Sequence, residues 1–356
     1  MTPTGPRNAP DVVDVVALGE SMVTFLPSRP GRLADVPSFE RGIGGAESNV
    51  ACVLAAAGHS ARWVGAVGAD GFGDHLVEEI GSYGVDIASV RRDPARPTGV
   101  YFRTSGDRAT DAHEVAYYRA GSAASAMSAD TVDLAAVRAA RVLHLSGITA
   151  ALSGGCLDLL WELTEPGPRR PLVSFDVNHR PGLWPDHDGP RALLDLARRA
   201  DLVFVGSDEA LGAWGLRGAS AVRDALPEPE LVVVKRGPGG AVALGKDPGD
   251  AKGADGTATL AHAPRVDVVA AVGAGDAFAA GFLSATLRAL PVRDRLRHGH
   301  LMAAAALTVP GDLATPPARE HADRLVALDD AAWGRLRLGP GWTERTQRAD
   351  EEVRTP

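Results

Sequence analysis

Val272-Gly273-Ala274-Gly275-Asp276-Ala277-Phe278 runs directly into AAGFLSATLRA at 279–289. Glycines open an Ala-rich stretch long enough for about three helical turns. A Gly-rich turn at a helix start leaves backbone N–H groups free beside the positive end of the helix dipole, an arrangement suited to a phosphate. Asp276 falls in that first turn. It is either a helix cap or, beside an anion site, the acceptor of a proton from a hydroxyl that attacks the phosphate.

Two further glycine loops frame the same reading. Lys235-Arg236-Gly237-Pro238-Gly239-Gly240 follows the run LVVV at 231–234. It is either a hairpin turn into AVAL at 241–244 or a ligand loop. Arg41-Gly42-Ile43-Gly44-Gly45-Ala46-Glu47-Ser48-Asn49 opens another helix. Ser48 or Asn49 can cap it, yet capping alone does not need glycine at 42, 44 and 45.

Around these loops, short apolar runs at 12–18, 62–67, 142–145, 172–175, 202–205, 231–234 and 241–244 read as strands. Helical patterns intervene at 49–57, 76–82, 135–140, 156–163, 191–200 and 220–225. Strands alternating with helices predict a mostly parallel α/β sheet, whose ligands bind beyond the carboxyl ends of the strands. TGVYFRT (98–104) and EVAYYRA (114–120) alternate instead, predicting half-exposed strands of a small β appendage.

Composition narrows the function. The 356 residues carry Lys+Arg 37 against Asp+Glu 45, a net charge of −8, with 45% hydrophobic and 23% charged residues. Those proportions exclude wholesale disorder, and the acidic balance without a basic cluster argues against duplex nucleic acid as a partner. No apolar run approaches the ~18 residues of a membrane span, and the proline-containing first residues lack the apolar core of a signal peptide. Cys52 and Cys156 show no CxxC spacing and suit a reduced, cytoplasmic chain. His298 and His300 lack a nearby Cys or acidic partner and read as surface residues rather than metal ligands. GxxxxGK[ST], GxGxxG after a strand, and GxSxG are all missing.

Taken together and in this order, GGAESNVA (44–51) and VGAGDAFAAGF (272–282) resemble the two motifs of the ribokinase-like (PfkB) carbohydrate kinases, over roughly residues 12–330. GESMVTFLP (19–27), RPTGVYFR (96–103), YYRAGSAAS (117–125), SFDVNHRPGLW (174–184) and GDLATP (311–316) resemble the 2-keto-3-deoxygluconate kinases within it, as does the Glu after GGA. The resemblance implies a three-layer αβα fold with a mostly parallel sheet. It also implies one kinase domain over 11–335 and a β lid from 22–42 and 97–121, leaving 1–10 and 340–356 as disordered tails. Through such lids the family often pairs as a homodimer.

The residue roles are carried over by position. Asp276 becomes the general base, with the amides of Gly273, Ala274 and Gly275 beside it as the anion hole. Gly44, Gly45, Asn49, Tyr101, Tyr117, Arg119, Arg180 and Asp312 become sugar contacts. Tyr117 and Arg119 are two apart, so a strand would point both to one face and Tyr118 to the other. An acidic sugar needs a cation, and a guanidinium holds a carboxylate by two parallel bonds. Ser207, Lys235, Gly237, Gly240, Gly273 and Gly275 would line ATP, with Ala303 to Ala306 walling its base, and Glu209 would orient Mg²⁺ through water.

Two departures stand out. Ala270-Ala271 replaces the usual Asp-Thr, which puts activation by a monovalent cation in doubt, and Asp267 should face away from that place. Gly206 replaces the Asn of the family's NxxE. The expected activity is phosphorylation of 2-keto-3-deoxygluconate at its C6 hydroxyl by Mg·ATP. The alternatives are another sugar or nucleoside specificity and a non-catalytic sugar-binding regulator.

Overall fold

The computed structural model describes residues 11–104, 114–168, 170–184, 188–245 and 257–344. In chain order its first strands are β1 (Val13–Leu18), β2 (Met22–Pro27), β3 (Phe39–Gly44), β4 (Ala61–Val64), β5 (Ala66–Gly68), β6 (Arg91–Asp93) and β7 (Val100–Arg103). Then come β8 (Val115–Tyr118), β9 (Ala140–Ser146), β10 (Leu172–Asp176), β11 (Leu202–Gly206), β12 (Leu231–Lys235), β13 (Ala241–Gly245) and β14 (Thr257–Ala261).

The apolar runs assemble into one eight-stranded sheet, ordered β14-β13-β12-β11-β10-β9-β1-β4. From β4 to β12 every pairing is parallel, while β13 and β14 run antiparallel. Strands buried on both faces need apolar residues at every position rather than at alternate ones, as in LVFVG of β11. Its Val203 and Val205 join one core with Leu160 and Leu196. Leu202 and Phe204 join another with Phe278 and Phe282 on the opposite face. Helices therefore cover both faces, giving the three-layer αβα arrangement expected.

Close packing explains some of the glycines. Helices Ala274–Leu287 and Val292–Leu307 lie against each other at Gly281 and Gly299. A Cβ on Gly299 would come to 2.9 Å from the Phe278 ring, so a larger residue would force the two helices apart.

The two alternating segments form strands of a separate four-stranded sheet, ordered β3-β2-β7-β8. Tyr101 of β7 pairs with Tyr117 of β8, their rings 5.5 Å apart. On the reverse face Phe102 meets Phe25, Phe39 and Tyr118. Period-two alternation thus sends Tyr117 and Tyr118 to opposite sides, as their spacing predicts. Positions 105–113 of the expected lid segment lie outside the described residues.

Several expectations need correction. The run 62–67 is two strands, β4 and β5, broken at Gly65, where a Cβ would press on the Trp63 ring at 2.7 Å. His298 and His300 are buried: His298 pairs with Asp323 at 3.2 Å, and His300 binds the Ala261 carbonyl at 3.0 Å. Within 340–344, which the expectation placed in a disordered tail, Trp342 is only 4% exposed and joins a cluster with Leu301 and Trp333. The expectations for 1–10 and for the rest of the C-terminal tail lie outside the described residues. Among the described residues, no helix is long and apolar enough to cross a membrane.

Candidate active site

Strand order reverses at β1: the chain passes to β4 on one side and later returns to β9 on the other. Loops beyond the carboxyl ends diverge at such a switch point and leave a crevice. The three glycine loops converge there.

At helix Ala274–Leu287, Gly273 takes φ 68°, and a Cβ there would collide with the Asp312 carbonyl. Left-handed backbone and close approach together require glycine. No side chain caps this helix, so its first-turn N–H groups stay open to an anion. Asp276 is therefore not a cap. Asn49 Nδ2 instead donates to its Oδ2 at 2.8 Å. Helix Ala46–Ala56 is likewise uncapped by side chains, with Gly45 at its N-cap. That removes the capping reading of Ser48 and Asn49. Asn49 Oδ1 remains buried without a partner.

Burial pushes the Asp276 carboxyl up to about 8. The Asn49 hydrogen bond opposes the shift, Asp176 adds to it, Lys235 opposes it and Asp312 adds to it. A carboxyl raised this way is a stronger base than an exposed one once it is ionised. Lys235, at the end of β12, donates to Asp176 Oδ2 at 2.7 Å. Burial works to lower its pKa, but the attraction of Asp176, with Glu209 and Asp276 behind it, holds it above the usual lysine range. A Cβ on Gly275 would stand 3.6 Å from Lys235 Nζ, so the ammonium lies beside the uncapped helix start.

The other end of the crevice lies under the four-stranded sheet. Tyr101 OH donates to Asp312 Oδ2 at 3.2 Å, and Arg103 Nη2 to Asp312 Oδ1 at 2.7 Å. Gly44 sits against this pair, and a Cβ there would collide with the Tyr101 hydroxyl. Gly45 has no room either, because the Glu20 carbonyl occupies the place of its Cβ. Arg119, its side chain 9% exposed, forms an ion pair with Glu20, and its guanidinium lies 5.9 Å from the Tyr117 ring centroid.

The loop at 237–240 takes the first of the two forms expected of it. It is a tight turn between antiparallel β12 and β13, with Gly237 at φ 53° and Gly240 at φ 95°, and it starts from Lys235. Ser207 opens helix Ser207–Trp214 at the end of β11. Glu209 Oε2 accepts the Gly206 N–H at 2.8 Å, so the missing Asn leaves the cap to Glu209 itself. Arg180 donates to Glu209 Oε1 at 3.3 Å. The structure thus places Arg180 with Glu209 and Arg119 with Glu20. Asp267 pairs with Arg337 at 2.7 Å.

The pfkB carbohydrate kinase family profile matches residues 13–319. The chain belongs to the pfkB family of carbohydrate kinases. It is an ATP-dependent sugar kinase. The kinase is 34% identical over 315 residues to the 2-dehydro-3-deoxygluconokinase of Bacillus subtilis (strain 168), covering 86% of this chain and 94% of that one. It is 32% identical over 329 residues to the enzyme of the same name from Thermoproteus tenax, covering 91% and 98%. Among solved structures, the PfkB protein from Polaromonas sp. JS666 superimposes with a TM-score of 0.75 at 33% identity, covering 87% and 99%.

The kinase also contains site residues that pattern reading passed over. Arg103 stands two positions after Tyr101 in one strand, so the same-face rule that paired Tyr117 with Arg119 points to it as well. Asp176 lies four before Arg180 in the DVNHR stretch, which bends at Asn178 with φ 39°, a left-handed conformation that asparagine tolerates better than most residues. Glu20 carries no local signal. The Glu after GGA lies inside the fold. Glu47 is fully buried and accepts the Ser146 and Thr149 hydroxyls at 2.7 and 2.6 Å, and burial raises its pKa despite those bonds.

Proposed function

We propose that the kinase phosphorylates a 2-keto-3-deoxy sugar acid, with 2-keto-3-deoxygluconate at its C6 hydroxyl as the foremost substrate. The observation that carries this reading is Arg119, a buried cation beneath the lid sheet beside Tyr117. A neutral sugar gives no reason to hold a guanidinium there, whereas a carboxylate matches its planar donors. The relatives named above support the same class.

In this reading Gly44, Gly45, Asn49, Tyr101, Tyr117, Arg119, Arg180 and Asp312 orient the sugar. Asp276, in its ionised form, takes the proton of the C6 hydroxyl as that oxygen bonds to the γ-phosphorus. The bond from the γ-phosphorus to the β–γ bridging oxygen breaks, and ADP leaves with the electron pair. The N–H groups at 273–276 receive the charge that develops on the phosphoryl oxygens, and Lys235 stands beside them. Ser207, Gly237 and Gly240 border the nucleotide. The lid excludes water that would otherwise accept the phosphoryl group.

Mg²⁺ fits this donor set as an ion carried mainly by phosphates and water. The partly exposed Glu209 would hold it through water, and the buried, unpartnered Asp176 Oδ1 lies at the end of the strand next to β11. When bound, it neutralises phosphate charge. For a monovalent cation, Ala270 and Ala271 offer no side-chain oxygen, and Asp267 is held by Arg337. Free, buried Cys52 and Cys156 agree with a reducing, cytoplasmic setting.

A coupled assay of ADP release tests the substrate class, using 2-keto-3-deoxygluconate, its galactonate epimer, fructose, ribose and adenosine. The expected result is a kcat/KM for the acids at least about 100-fold above the neutral compounds, the scale on which buried polar groups discriminate. Turnover of neutral sugars with none of either acid would sink the reading. Turnover of none of them would favour the regulator instead. The outer lid face, with Phe25, Phe39, Phe102 and Tyr118 (66% exposed), suits pairing with a second copy. Sedimentation velocity should show a dimer that Tyr118→Arg dissociates, and an unchanged monomer would refute it.

A further inference from the structure

Glu20, just beyond β1, is 2% exposed and takes no part in the phosphoryl transfer. Its carboxylate is held from three sides. Ser122 Oγ donates to Oε1 at 2.6 Å. Gly99 lies beneath it, where a Cβ would come to 2.9 Å from Oε1. Arg119 pairs with Oε2. Glu20 stands at the strand switch point, and these partners come from the entry to β7 and from the turn after β8, places that meet only in the folded chain. The Glu20 backbone carbonyl also borders Gly45 of the sugar loop.

A buried ion pair of this kind adds little stability over an apolar pair of the same shape. Stability alone is therefore a weak reason for its presence at the mouth of a binding site. Orientation is a better one. An arginine side chain has many rotamers, and a ligand that must order it loses affinity. Glu20 takes one arm of the guanidinium, while Nε stays buried without a hydrogen-bond partner. A fork fixed at one arm still has donors for a planar anion.

We infer that Glu20 is the positioning residue of the sugar-acid site: it holds Arg119 in the orientation that receives the substrate carboxylate and does not touch the substrate itself. The inference rests on the sugar-acid reading above. It gives the GE dipeptide at 19–20, Gly99 and Ser122 one shared purpose, which is to fix a single guanidinium. Burial raises the Glu20 pKa against the opposing pulls of Arg119 and Ser122.

The test uses the full chain with 2-keto-3-deoxygluconate and ATP, comparing parent, Glu20→Gln, Arg119→Ala and the double variant. Glutamine keeps the shape and a bond to Ser122 but loses the charge that orients Arg119. Glu20→Gln should raise KM for the acid about tenfold (~1.4 kcal/mol), with kcat within about twofold and KM for ATP unchanged. In the Arg119→Ala background the same substitution should add nothing, since the effect passes through Arg119. An equal effect in both backgrounds, or equal losses in kcat and KM for ATP, would mean a general structural role and overturn the inference. An unchanged or lowered KM would overturn it too, making Glu20 a bystander or a competitor of the substrate. If Glu20→Gln lowers Tm sharply, Ser122→Ala carries the test, with a smaller rise in the same KM expected and no rise refuting it. Failure of the underlying reading looks different: Arg119→Ala itself would leave KM for the substrate unchanged.

Discussion

Asp276→Asn should lose about 10²–10⁴ of kcat, the range that a general base contributes, and yet unfold at a higher temperature than the parent at pH 8. Asparagine has the same shape and its carbonyl can still accept the Asn49 hydrogen bond, but it cannot take the hydroxyl proton. The stability change follows from linkage. Burial raises the folded-state value to about 8 from an ordinary 3.8. Between those values the folded chain keeps a proton that the unfolded chain has released, so folding grows less favourable as pH rises through that window. Asparagine carries no such proton. The Tm advantage of the variant should be largest at pH 8 and shrink toward pH 4. Thermal melts across that range, with kcat at saturating substrate, check both halves. Parent-like turnover would remove Asp276 from the mechanism, and an advantage that grows toward acid would contradict the raised carboxyl.

Lys235→Met should cost about 3–5 kcal/mol of stability, because it leaves Asp176, whose side chain is only 4% exposed, as a buried carboxylate without its cation. It should also lower kcat by about 10²–10³, as expected when a preorganised charge facing the transferred group is removed. The two effects separate in the double variant Lys235→Met with Asp176→Asn. Neutralising Asp176 relieves the uncompensated charge, so denaturant unfolding should return most of the stability. Turnover should stay low, because nothing replaces the ammonium beside Gly275. If turnover returns together with stability, Lys235 serves the fold and not the reaction.

These effects depend on contacts between parts of the chain that are remote in sequence. Asn49 and Asp276 are 227 positions apart, and Arg103 and Asp312 are 209 apart. Sequence reading supplied the members of such pairs one at a time. It named Asn49, Asp276, Tyr101 and Asp312 through motif likeness, and it reached Tyr117 and Arg119 through the strand period as well. The local pattern alone left Asp276 open between cap and base, because a first-turn aspartate suits either, and motif likeness made it the base; the Asn49 contact and the uncapped helix removed the cap.

What the sequence by itself determined was whatever follows from short-range regularities. Runs such as LVFVG and LVVV are apolar at successive positions, which only a strand buried on both faces explains. TGVYFRT and EVAYYRA alternate, which only a half-exposed sheet explains. Glycines at 273 and 275 before an Ala-rich stretch mark a helix start open to an anion. Backbone geometry imposes all three patterns over a few residues, so they are visible without the fold. Only the tertiary structure decided which charge faces which. It gave Arg119 to Glu20, Arg180 to Glu209, Lys235 to Asp176, and Glu47 to the hydroxyls of Ser146 and Thr149. It also buried His298, His300 and Trp342, which composition had assigned to the surface and the tail. The reason is physical: an ion pair acts over a few ångströms of space, and chain separation says nothing about that distance until the sheet has brought its strand ends together.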